Sequence, residues 1–254
     1  MNAVRLLLRQ VRYEQLSYWR NPTAAFFTFA FPLAFFFIFA SIFGSSHNRD
    51  LGGVKTIQYY TPSILGYAVM SACFVNIALM LAQRRESGIL KRLRGTPLPA
   101  WALVGGVIGS SIIISAVLTA VSLLFARLVY GVRLPADRIG PVLVTILLAA
   151  VAFCALGIAV SALIPNADSG PAVINLPYFI LVFISGTYFP VHGQLAHVAD
   201  AFPLRPFIQA MYRSFDPFFT GSPWAWHDLR TIGLWGLAGA VAAARRFRWA
   251  PRAR

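Results

Sequence analysis

The stretch Arg84-Arg85-Glu86-Ser87-Gly88-Ile89-Leu90-Lys91-Arg92-Leu93-Arg94-Gly95-Thr96-Pro97 decides how the rest of this chain is read. It carries five basic side chains and one acid between two long apolar runs, 59–82 and 101–129, that hold almost no charge. A charge in hydrocarbon costs several kcal/mol, so the block must be a connection outside the bilayer. Its excess of Arg and Lys assigns it to the cytoplasmic side. Ile89, Leu90 and Leu93 share one helical face, Lys91, Arg92 and Arg94 point elsewhere, and Pro97 and Pro99 end the pattern. The spacing predicts a short amphipathic helix hung between two membrane spans, a lever for a cytoplasmic partner to push.

The composition around this block agrees. Of 254 residues, 58% are hydrophobic and 12% charged, against about a quarter charged in soluble domains. Several runs exceed the roughly 18 apolar residues that a spanning helix needs, and the alternating period of a membrane barrel is absent. The fold class is an all-α membrane protein in one domain, 1–254. A net charge of +14 would suggest nucleic acid in a soluble protein. Here the excess sits in tails and one loop, so the expected surface partner is the lipid bilayer and not nucleic acid. Cys73 and Cys154 fall inside apolar runs and read as core or lipid-facing residues. No cleavable signal peptide is evident, because the first apolar run is long enough to stay as an anchor.

Outward from the block, the chain divides as follows. Residues 1–22 form an interfacial amphipathic helix, with Val4, Leu7, Leu8 and Val11 at helical spacing and Arg5, Arg9 and Arg12 on an adjacent stripe. Spans one to five occupy 23–190. Span one, 23–43, is ringed by phenylalanine, which suits packing and lipid contact, and Pro32 kinks it. Residues 44–58 make a polar outer loop. Span two, 59–82, has Asn76 as its one strongly polar side chain. Span three, 101–126, carries Gly105, Gly106 and Gly109 on one face at helix-contact spacing. Arg127, Arg133, Asp137 and Arg138 follow in a short outer loop. Span four is 139–163. The turn Pro165-Asn166-Ala167-Asp168-Ser169-Gly170-Pro171 leads to span five, 172–190. Residues 191–229, rich in Pro and aromatics, are not apolar enough to cross and read as an outer-leaflet helical hairpin. Residues 230–254 hold span six and a basic tail. That makes six transmembrane helices with both termini cytoplasmic, and fourteen of the 22 Lys and Arg fall in the segments this places inside.

Several chemistries lack their residues. No acid lies near the middle of any span, as ion-coupled transport would require. The pattern G-x-x-x-x-G-K-[ST] is absent, so no P-loop ATPase is expected in this chain. His47, His192, His197 and His227 fall in predicted outer segments, and no Cys or Glu completes a metal site near them.

Six spans, an interfacial first helix, a non-crossing hairpin before span six and the basic loop together resemble the ABC-2 type transporter permease family. The family loop runs Glu-Arg-Glu-x-Gly-x-Leu-x-Arg-Leu-x-x-Thr-Pro. Arg85-Glu86, Gly88, Leu90, Arg92-Leu93 and Thr96-Pro97 keep that order, and Arg84 stands where the family often has its first Glu. Ala155-Leu156-Gly157 through Pro165 to Ser185-Gly186-Thr187-Tyr188-Phe189-Pro190 is a second likeness, and Pro203-Leu204 leading to Ala210 a third.

The resemblance implies a membrane subunit without catalytic, metal or cofactor residues of its own, paired with a separate ATP-binding cassette subunit that holds ATP and Mg. Residues Arg84, Arg85, Glu86, Ser87, Gly88, Leu90, Lys91, Arg92, Leu93 and Arg94 would couple to that subunit, together with the first helix. A second permease copy, identical or not, would complete the exporter in the plasma (inner) membrane. Phe35, Asn76 and Asn175 are candidates for the substrate path. Short loops suggest the drug and antibiotic efflux branch. Export of a lipid or lipid-linked polysaccharide is the alternative in the same class. A membrane-embedded enzyme such as an acyltransferase, or a passive channel or assembly factor, would be alternatives of other classes.

Overall fold

The computed structural model describes residues 3–43, 55–166, 168–186 and 193–246. Helix α1 is Ala3–Trp19 and α2 is Pro22–Phe43. Next come α3, Thr56–Met70, a π-helical turn at Ser71–Val75, α4, Asn76–Glu86, and α5, Ile89–Arg94. Helix α6 is Ala100–Tyr130, α7 is Ile139–Ser161 and α8 is Gly170–Ile184. Two short helices, α9 at Gln194–Asp200 and α10 at Leu204–Phe215, precede α11, Trp226–Arg246. The described residues are helical apart from turns and loops. Of the expected outer loop 44–58, residues 44–54 fall outside them and Thr56, Ile57 and Gln58 are already helical; residues 187–192 and the tail 247–254, with His47, His192, Tyr188 and Pro190, also fall outside them.

Among the described residues, four helices are long and apolar enough to cross a membrane: Pro22–Ile42, Thr56–Glu86, Ala100–Tyr130 and Ala136–Ser161. The helix at 56–86 is continuous through the π turn, so it extends past the apolar run and carries Arg84 and Arg85 on its end. The helix at 100–130 likewise extends beyond the expected 126, which puts Arg127 in its last turn and not in a loop. Helix α8 has 15 residues, roughly 22 Å at 1.5 Å per residue, short of the hydrocarbon thickness. Helix α11 has 21 residues, but its first turns carry Asp228 and Arg230 and its middle is Gly- and Ala-rich.

Helix α7 is the hub. Ala149, Ala152, Phe153 and Cys154 are buried in the main core, with Cys73, Phe74 and Ile77 from the long helix opposite. Two close approaches require glycine. A Cβ on Gly157 would lie 2.7 Å from the Phe74 carbonyl oxygen in the π turn. A Cβ on Gly239 of α11 would lie 2.8 Å from the Leu156 backbone nitrogen. Small residues thus bring α7 against helices on both sides, as in membrane bundles where packing must substitute for hydrophobic drive.

The bundle end opposite the basic block is tied by backbone-directed side chains. Gln58 accepts from the Arg133 N–H at 2.8 Å and donates to the Arg133 and Phe215 carbonyls at 2.9 and 3.0 Å. Arg138 donates to the carbonyls of Arg213, Asp216 and Phe219. Helix α10 buries Leu204, Phe207, Met211 and Phe215 and packs on α3, α7 and α11. Protein thus covers the hairpin helix that is too polar to cross alone.

Candidate functional site

Helix α4 ends in consecutive arginines, and cations suit a helix C-terminus, where carbonyl groups lack partners. Successive residues point about 100° apart on a helix, so the two guanidiniums diverge. Arg84 reaches α1 and pairs with Glu14 through Nη1 to Oε1 at 2.9 Å and Nη2 to Oε2 at 2.7 Å. Gln10 Nε2 adds a bond to Glu14 at 3.1 Å. Arg85 is buried and turns toward the end of α7, donating from Nη1 to the Ser161 carbonyl at 2.8 Å and from Nη2 to the Ile164 carbonyl. Helix α4 is therefore bolted to α1 on one side and to α7 on the other.

The chain then turns sharply. The Ser87 N–H closes on the Gln83 carbonyl, and Gly88 takes a left-handed φ of 71°, a conformation that costs a side-chain-bearing residue roughly 1–2 kcal/mol. Beyond this pivot, α5 buries Leu90 and leaves Lys91, Arg92 and Arg94 exposed. Arg92 bonds back to the Ser87 carbonyl at 3.3 Å, and Thr96 Oγ1 donates to the Leu93 carbonyl at 2.6 Å. The expected short helix exists, but it begins at Ile89. Of its expected apolar face, Leu90 is buried, Leu93 half-buried and Ile89 exposed. Glu86 and Ser87 are exposed at the turn.

Helix α1 lies along the first turns of α6, where the glycines of span three receive it. Leu7 packs over Gly105, Gln10 over Gly106 and Val11 over Gly109. Gln15 Nε2 donates to the Ser110 carbonyl at 2.8 Å and hydroxyl at 3.1 Å. Arg5, Arg9 and Arg12 are exposed, and so are Val4 and Leu8. Burial pushes the Tyr18 phenol above its usual value.

Between α1, the start of α2, α4 and α6 lies a cavity of about 490 Å³. Glu14, Arg84 and Asn21 line it together with Asn76, Ser110 and Ser111, and Leu79, Met80, Val107 and Ile114 supply apolar wall. Asn76 follows directly on the π turn. The other substrate-path candidates lie elsewhere. Phe35 packs edge-on to Tyr67 with ring centroids 4.8 Å apart, and Asn175 is half-buried on α8. Among the described residues, no three His, Cys, Asp or Glu side chains cluster as a metal set.

Glu14 is a site residue outside the expected set. The signal was there, because Leu7, Gln10, Val11, Glu14 and Tyr18 recur at helical spacing on the face turned to α6 and α4.

The family model described as ABC-2 type transporter matches residues 5–215, from α1 to the end of α10. No curated protein matches the chain. The match covers most of the chain and agrees with its long apolar helices, which make it a multi-pass membrane protein. The chain belongs to the ABC-2 type transporter family, the membrane components of ATP-binding cassette transporters.

Proposed function

We propose that this chain is the six-span permease subunit of an exporter that moves a hydrophobic, drug- or antibiotic-like compound across the plasma membrane. In this reading both termini are cytoplasmic, α8 and α11 complete the six spans, and the interfacial helix, five spans, hairpin and sixth span form one domain. A separate ATP-binding subunit binds ATP and Mg and docks on α5 and α1. The observation that carries the reading is α5 itself: a short basic helix on a glycine pivot, at the end of a 31-residue helix. That helix is bonded to α1 through Arg84 and to α7 through Arg85, so a push on α5 moves three helices together. Movement of packed helices as rigid elements is a common route for switching transitions. The apolar faces of α2 and α8, with Phe31 and Phe37 on one and Leu176 and Phe183 on the other exposed, support contact with a second permease copy as well as lipid.

The test is reconstitution with the ATP-binding subunit in inverted vesicles, reading uptake of a hydrophobic dye. Uptake should require hydrolysable ATP and both subunits. Uptake that ignores nucleotide, or nucleotide cleavage by the isolated chain, would overturn the assignment.

A further inference from the structure

We propose that the cavity between α1, α4 and α6 is a binding site for an uncharged amphiphile drawn from the cytoplasmic leaflet. The inference deepens the permease reading, and its leaflet assignment rests on that reading.

The size is right: about 490 Å³ lies in the range of small-molecule pockets, roughly 300–1,000 Å³. The wall is divided in kind. Leu79, Met80, Val107 and Ile114 offer an apolar surface, and amides and hydroxyls of Asn76, Asn21, Ser17 and Ser111 offer hydrogen bonds. In a wall so divided, the apolar part buries a ligand's body and the polar part, which supplies most of the lining side chains, fixes its head.

The charge balance selects the head. The two ionic groups on the wall, Glu14 and Arg84, satisfy one another through both terminal atoms. A charged head would have to break that pair and leave its unmatched member shielded from water, which is costly. An uncharged head needs only donors and acceptors, and Asn76 supplies both. Its side-chain amide has no partner among the described residues. The π turn immediately before it resets the helical phase, and π turns recur at functional positions.

The experiment uses the full chain in phosphatidylcholine nanodiscs without any ATP-binding subunit. The probe is a long-chain alkyl glucoside bearing a photoreactive group on the chain. Expected is saturable labelling of peptides from 76–87 and 107–114. Probes with the same chain and a quaternary ammonium or phosphate head should label roughly tenfold less, a difference of about 1.4 kcal/mol. Asn76→Leu should cut labelling by a similar factor. Ser17→Trp, at an exposed position on the α1 wall, should do the same by filling the cavity, and it keeps the test valid if the Asn76 variant does not fold. Free glucose should not compete. Non-saturable labelling, labelling indifferent to Ser17→Trp, equal labelling by a charged probe, or displacement by glucose alone would each overturn the proposal. Failure of ATP-driven transport would sink the permease reading and leave this labelling pattern intact. A chain that couples to ATP yet shows no saturable labelling would sink the cavity alone.

Discussion

Arg84 and Glu14, 70 residues apart in sequence, are joined at both ends of their planar groups. Their side chains are only 16% and 7% exposed, so water screens the pair less than it does a surface ion pair. Two parallel bonds fix the angle at which α1 meets the end of α4. Glu14→Gln and Arg84→Gln should each lower the unfolding midpoint in detergent. A double-mutant cycle should return a coupling of about 1–3 kcal/mol. Strictly additive losses would show that the two helices are held by something else.

Arg85 serves a different end. Its guanidinium donates to the carbonyl of Ser161, the last residue of α7, which no later turn of that helix can satisfy, and to that of Ile164 in the connection just beyond it. Arg85→Leu strands both acceptors, at about 1–3 kcal/mol for each buried group left unpaired. Arg85→Lys should recover only part of the loss, because an ammonium cannot reproduce the fork geometry. Proteolysis at the 162–169 turn reports the effect directly: the leucine variant should be cut fastest, the lysine variant at an intermediate rate and the parent slowest. Equal rates would show that the turn does not depend on Arg85.

The long helices were legible because crossing a bilayer demands length and apolarity that few other structures need. Helices α8 and α11 were less so, one being 15 residues long and the other diluted by Gly, Ala and charge. The basic block was visible as a unit, but its division was not. Composition groups Arg84 and Arg85 with Lys91 and Arg92, whereas the structure uses the first two to tie helices together and leaves the next two exposed. Hydrophobic pattern on α1 did not divide its apolar stripe between protein and surroundings. Val4 and Leu8 belong to its apolar stripe but are 62% and 63% exposed, because an interfacial helix shares its apolar surface between protein and lipid. The cavity drew its walls from three separated segments, 14–24, 76–89 and 107–114, and the π turn bears no local signature, so neither was readable from spacing.

Gly157 offers a test of the hub. An added methyl would meet the Phe74 carbonyl oxygen at 2.7 Å and the Cys73 carbonyl at 3.2 Å. Both are backbone atoms and cannot rotate aside, so α7 and the π turn must separate. Gly157→Ala should cost about 1–3 kcal/mol, seen as a lower midpoint in thermal unfolding. Gly140→Ala, on the same helix with nothing within 4 Å of the new atom, is the matched control and should be close to neutral. Equal effects at the two positions would mean that the close approach at the π turn is not a constraint.

The pivot at Gly88 separates stability from coupling. Its φ is 71° and nothing lies within 4 Å of an added Cβ, so Gly88→Ala strains only the backbone, by roughly 1–2 kcal/mol. Gly88→Pro cannot adopt this conformation at all, because its ring holds φ near −65°, and α5 must leave its position. Neither change touches the side-chain bonds of Arg84 or Arg85 to α1 and α7, so the loss in unfolding midpoint should not exceed what that local backbone strain accounts for. What should change is the response of the ATP-binding subunit. With a partner reconstituted beside the permease, substrate-stimulated ATP turnover should fall modestly for the alanine variant and be lost for the proline variant. Parent-level stimulation with proline at 88 would show that the position of α5 does not govern how the two subunits communicate.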